Sequence, residues 1–255
     1  MSHDTNNTEL RNKIDARLNS MIEQFYQEVP NGTYQRDSQT INHEYYKRHS
    51  IETVLRIRHK RMIDALVIHY FTKHDPKQAK AWAQYIDDEM LHGHMFGKDI
   101  ERLFGLKMDE IYEYEPLLAT KLLNGYFYYT LEHEGPMAAL VSAYFLEYTT
   151  RMTQPVWLDN LARIFGEENI RGARAHVNHD IKEDHNDFVW NVLSSTIKQP
   201  EDAQKLLDHL NTIYGLFAAY FTELHMKTIN MNESDSIRNF IPPTVIHHAH
   251  NKSLC

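Results

Sequence analysis

A chain of 255 residues with 42% hydrophobic side chains can bury one large core or two small ones. Its net charge of −8, with no basic run, argues against nucleic acid or an anionic membrane as the main partner. The single cysteine is Cys255, the last residue, which rules out a disulfide framework, a thiolate metal site and an internal cysteine nucleophile. No apolar run approaches the roughly 18 residues of a membrane-spanning helix, and the opening residues MSHDTNNTEL lack the apolar stretch of a signal peptide. A soluble cytoplasmic protein is the expectation.

Helical periodicity dominates, and the 9 glycines and 8 prolines fall between the periodic segments. The pattern predicts helices at about 8–29, 42–49, 50–73, 76–104, 116–131, 135–165, 168–197 and 200–230. The stretch 30–40, PNGTYQRDSQT, is a polar loop. Asp75-Pro76 is a helix start, with Asp as N-cap and Pro at the first helical position. Gly105 follows Leu103 and Phe104 as a C-cap glycine. Gly135-Pro136 opens the next long helix, Gly166 ends it, and Gln199-Pro200 closes the one after. The expected division is an N-terminal helix and loop over 1–41, a helical core over 42–230 and an irregular tail over 231–255. His247, His248 and His250 in that tail read as a flexible end that binds metal weakly. An all-α fold follows, a single helical-bundle domain of about seven or eight helices.

Three segments carry chemistry. In the first, DDEMLHGHMFGKDIERLFG, Glu89-x-x-His92 sets a carboxylate and an imidazole one turn apart, so both can reach one ion. Asp88 is an alternative ligand or orienter of the ring, and His94 points away. In the second, Glu147 sits in an apolar run from Leu140 to Leu146. A lone buried carboxylate there costs several kcal/mol unless it is neutralised, paired or metal-bound. Arg151, one turn on, is the competing ion-pair partner.

The third is HVNHDIKEDHND, 176–187, in which seven of twelve residues are His, Asp or Glu. On a regular helix His176, Asp180 and Glu183 fall within roughly 60° of one another, with His179 and Asp187 near the same stripe. Nitrogen and carboxylate ligands converging from one face suit a redox iron or manganese site. The plainer alternative is a solvated charged face. The predicted ligand set is Glu89, His92, Glu147, His176, Asp180 and Glu183, with His179 as an alternative register. Glu89, Glu147 and Asp180 are the residues predicted to carry the chemistry.

This order of segments resembles the heme-oxygenase-like di-iron oxidases and oxygenases over roughly residues 42–225. In that family the ligands come from Glu-x-x-His on one core helix, Glu on a later one and His-x-x-x-Asp-x-x-His on the next. The resemblance implies a heme-oxygenase-like fold, two Fe(II) ions per chain with a labile second ion, and O2 as co-substrate. Manganese is the alternative metal. It also implies a small-molecule substrate, an external electron donor and a homodimer. N-oxygenation, desaturation or oxidative C–C cleavage of an amine or amino acid, in natural-product biosynthesis, is the favoured reaction class. Oxidative decarboxylation of a fatty acid and a non-catalytic helical metal-binding module are the alternatives.

One departure stands out. The family's last ligand is His, and here that slot holds Glu183. His185 lies about 200° from Glu183 on a regular helix and ligates only if the helix bulges.

Other readings fit less well. A ferritin-like protein needs two Glu-x-x-His pairs, and one is present. A thiaminase needs an internal cysteine. A heme oxygenase needs an early histidine, for which His43 or His49 could serve, but gives no reason for Glu89 and Glu147. A cofactorless oxidase like pyrroloquinoline quinone synthase remains open. For a substrate carboxylate, Tyr126, Tyr128, Tyr129 and Tyr144 with Arg151, or Arg58, Lys60 and Arg61, are candidate partners, though most of these tyrosines read as core residues.

Overall fold

In a computed structural model the chain is described over residues 2–229, with side chains from residue 7 onward. The expected tail and its three histidines lie outside the described residues. Among those described there is no strand, and no helix is long and apolar enough to cross a membrane.

The elements are α1 (Ser2–Glu28), a single turn α2 (Tyr34–Asp37) in the predicted loop, α3 (His43–His74), α4 (Pro76–Glu89), α5 (His92–Phe104) and α6 (Met108–Tyr112). They continue with α7 (Leu118–His133), α8 (Met137–Phe165), a 3₁₀ turn (Glu167–Asn169), α9 (Arg171–Glu183), α10 (His185–Ser194) and α11 (Pro200–Thr228).

The punctuation read from the sequence is seen at Asp75, whose side chain accepts from the N–H groups of Lys77 and Gln78. It is seen again at Gly105, which ends α5 with φ 70°. Three expectations differ.

The helices predicted at 42–49 and 50–73 are one. Ser50 donates back to the Tyr46 carbonyl at 2.8 Å instead of capping a new start. The helix predicted over 76–104 is split at Met90-Leu91, where Arg61 Nη1 donates to the released Met90 carbonyl at 2.8 Å. The helix predicted over 168–197 is divided at Asp184, a non-glycine residue in the left-handed region at φ 52°, ψ 47°.

α3 is the spine, with α4, α5, α7 and α11 packed against it. The main core brings Ile63, Val67, Trp82, Leu140, Tyr144 and Ile213 together, and α1 adds Ile14, Leu18 and Met21.

Buried acids place two of the helices. α7 begins after Leu117, which has no capping side chain. Glu52 of α3 accepts from the Leu117 N–H, and Glu223 of α11 accepts from those of Leu118 and Ala119. α9 begins after Ile170 and is capped in the same way. Asp99 of α5 accepts from the N–H groups of Gly172 and Ala173 at 2.8 and 2.7 Å. Each carboxylate meets the free donors and the positive end of a helix.

Gly172 makes the second docking close. A Cβ there would fall 2.0 Å from the Met95 carbonyl oxygen.

Candidate metal centre

Docking α9 on α5 brings His176 opposite His92, with ring centroids 4.2 Å apart. His92 Nδ1 lies 2.7 Å from Glu89 Oε2, across the Met90-Leu91 break. From the other side α10 delivers His185. Its Nδ1 is 3.2 Å from Glu89 Oε1, 3.6 Å from Asp180 Oδ1 and 4.0 Å from Glu147 Oε1. His176 Nδ1 is 3.0 Å from Asp180 Oδ2. Two triads result, Glu89–His92–His176 and Glu89–Glu147–His185, with donor atoms in each lying within 4.8 Å of one another. Glu89 belongs to both.

The sequence-predicted residues Glu89, His92, Glu147, His176 and Asp180 thus lie together. Glu183 does not. Its side chain is 46% exposed and bonds Lys182. The left-handed Asp184 resets the helical phase, so His185 turns inward where Glu183 would have pointed. His179 stands at the margin, its ring 5.5 Å from that of His185 and 6.1 Å from that of His92. Asp88 and His94 are exposed, and Asp187 pairs with Arg11.

Sequence reasoning gave His185 only a conditional role and missed Tyr85, whose hydroxyl donates to Glu147 Oε1 at 2.5 Å. The available signal was that Tyr85 lies one turn before Glu89, on the same face of α4.

Several donor atoms here approach one another without hydrogen-bond alignment. Glu89 Oε1, His176 Nδ1, Asp180 Oδ1 and both ring nitrogens of His185 are buried and have no hydrogen-bond partner. Five such atoms around one point are costly without a cation.

The electrostatics agree. Burial, then the charges of Glu89 and Asp180, raise Glu147 to about 8. Burial alone would lower His185, but its close approach to Glu89 and the surrounding carboxylates raise it to about 9. Burial opposes ionisation of Glu89, yet the nearby His185 and the bond with His92 hold its carboxyl well below the usual range. Protons stand where a divalent ion would balance the same charge.

A cavity of about 320 Å³ adjoins the cluster, lined by Glu89, Glu147, His176 and Asp180 together with other residues of α1, α3, α4, α5, α7, α8, α9 and α11. Lys60 and Arg61 line it, whereas Tyr126, Tyr128, Tyr129 and Tyr144 do not. Tyr126 bonds His209, Tyr144 donates to Asp15, and Tyr129 is 60% exposed. Arg58 lies over the Tyr112 ring, and Arg151 pairs with Asp184 rather than Glu147. Of the candidate heme histidines, His43 is exposed against Phe165, while His49 lines the cavity with Nδ1 at 2.9 Å from the Tyr220 hydroxyl.

No family model matches the chain, and no curated protein does. Solved structures share the fold. A domain of unknown function with a heme oxygenase-like fold from Shewanella denitrificans superposes with a TM-score of 0.75 at 20% identity, over 88% of this chain and 96% of that one. A TenA homolog from Pseudomonas syringae gives 0.64 at 11% identity, over 85% and 91%. A CADD-like protein of unknown function from Nostoc punctiforme gives 0.61 at 13% identity, over 85% and 99%. The chain has the heme oxygenase-like fold, and within it a Glu/His group able to hold a metal ion.

Proposed function

We propose that the chain is a non-heme di-iron enzyme that uses O2 to oxidise a small organic molecule bound in the adjoining cavity. Glu89, His92, Glu147, His176, Asp180 and His185 hold the metals, with Glu89 shared between the two sites. The observation that carries this reading is the accounting of buried acids. Glu52, Asp99 and Glu223 cap helices, and Asp64 is answered by Lys60. Among the described residues, the polar partners of Glu89, Glu147 and Asp180 are the histidines and Tyr85.

When bound, ferrous iron supplies the electrons that activate O2. The chain's own residues do the rest. Tyr85 fixes the Glu147 carboxylate, Asp99 and Gly172 fix the helix that carries His176, and the apolar cavity wall excludes water from the reacting molecule.

Anaerobic Fe(II) titration of the metal-free protein tests the reading. About two irons per chain are expected, followed by O2 consumption on mixing. Glu147→Ala should lose at least one iron and the O2 reaction. Full iron uptake and O2 consumption in that variant, or no specific uptake by the wild type, would overturn it.

A further inference from the structure

Three cations line the cavity, and one of them has a carboxylate partner among the described residues. Lys60 pairs with Asp64. Arg61 donates through Nε and Nη1 to the carbonyls of Ile57 and Met90, and its Nη2 is buried without a partner. Arg56 meets no carboxylate among the described residues. Its Nη2 donates to Thr53 Oγ1 at 3.1 Å, and its guanidinium carbon stands 4.1 Å from the centre of the Tyr220 ring. Its Nη1 is buried without a partner. A half-buried guanidinium whose neighbours are the Thr53 and Tyr220 hydroxyls and ring faces, with no carboxylate, is poised for an anion, and its planar fork suits a carboxylate.

Around it the wall is apolar, with Phe25, Ile57, Phe145, Phe217 and Phe221 among the lining residues. No acid there is left over for an ammonium. Outside the metal cluster the cavity carboxylates are Asp64, held by Lys60, and Asp99, held by two backbone N–H groups and Arg102.

Along α3, Arg56 lies two turns, or about 12 Å, from Asp64. Asp64 is close enough to Glu89 to feel its charge. The cation and residues of the metal cluster line one cavity at separate points.

We infer that this cavity takes an amphipathic monocarboxylate, its carboxylate on Arg56 and its apolar chain extending toward the cluster. The inference rests on the cluster being the reactive centre. It turns the substrate away from the amine or amino acid favoured by sequence, because a zwitterion would leave its ammonium unmatched. It also makes the carbon presented to the metals one remote from the acid head.

Binding to the metal-free protein tests this independently of iron chemistry. Calorimetric titration with decanoate and 1-decanol should rank decanoate first. Arg56→Gln should weaken decanoate about 10- to 100-fold and leave decanol unchanged, the decanol result also reporting an intact cavity. Arg56→Lys should retain part of the carboxylate preference. Equal decanoate binding by wild type and Arg56→Gln would overturn the inference. So would a crystal structure of the complex with the carboxylate seated among Glu89, Glu147 and His185. Failure of the iron titration with decanoate binding intact would remove the metal reading and leave the anion site standing.

Discussion

At the residue scale His185, a proposed ligand, and Glu183 stand in opposite surroundings. Glu183 bonds Lys182 in solvent, whereas both ring nitrogens of His185 are buried and unbonded beside Glu89, Glu147 and Asp180. We expect His185→Gln to lower iron content to about one per chain and Glu183→Gln to leave it at two, read by metal analysis after anaerobic loading. An equal loss in both variants would return Glu183 to the cluster. The residues legible in the sequence were those whose chemistry conflicts with their surroundings, such as Glu147 in an apolar run. Arg56 was not legible, because its significance lies in the absence of a counter-ion, and that is known only once α8 and α11 are folded against α3.

At the element scale the proposed metal centre depends on helix ends that their own sequences do not cap. α9 starts after Ile170, and its free N–H groups are met by Asp99 from a different helix. Gly172→Ala should test this docking. The added Cβ would meet the Met95 backbone, so the helices that carry His92 and His176 must part. Overpacking of this kind costs about 1–3 kcal/mol. Chemical denaturation should show that loss, and the iron titration should show weaker metal binding. Unchanged stability and affinity would mean that the contact is easily relieved. Boundaries marked by proline or glycine, at 76, 105, 166 and 200, could be read from the chain. The breaks at Met90-Leu91 and Asp184 could not, since one is held by Arg61 from α3 and the other by a backbone conformation that aspartate rarely announces.

At the scale of the whole molecule the cluster ties α4, α5, α8, α9 and α10 to one point. Three acids crowded together out of solvent oppose the fold until a cation balances them. Metal loading should therefore stabilise the entire bundle. At a free metal concentration of about 100 times Kd, linkage gives about 2.7 kcal/mol, or a rise in Tm of about 5–10 °C for a chain of this size. Anaerobic thermal melts with Fe(II) or Mn(II) against chelator measure it. An unchanged Tm would disconnect the cluster from metal. The all-α architecture was readable from periodicity alone, but the path by which five helices converge was not, because no single segment contains it.

The left-handed residue at 184 has a consequence for how kindred chains are found. A pattern that counts ligands along an unbroken helix expects His-x-x-x-Asp-x-x-His and passes over this chain, whose spacing is His176-x-x-x-Asp180-x-x-x-x-His185. A search that tolerates two extra positions, provided that Asp, Asn or Gly precedes the final histidine, would retrieve sequences whose centres are assembled in the same offset manner.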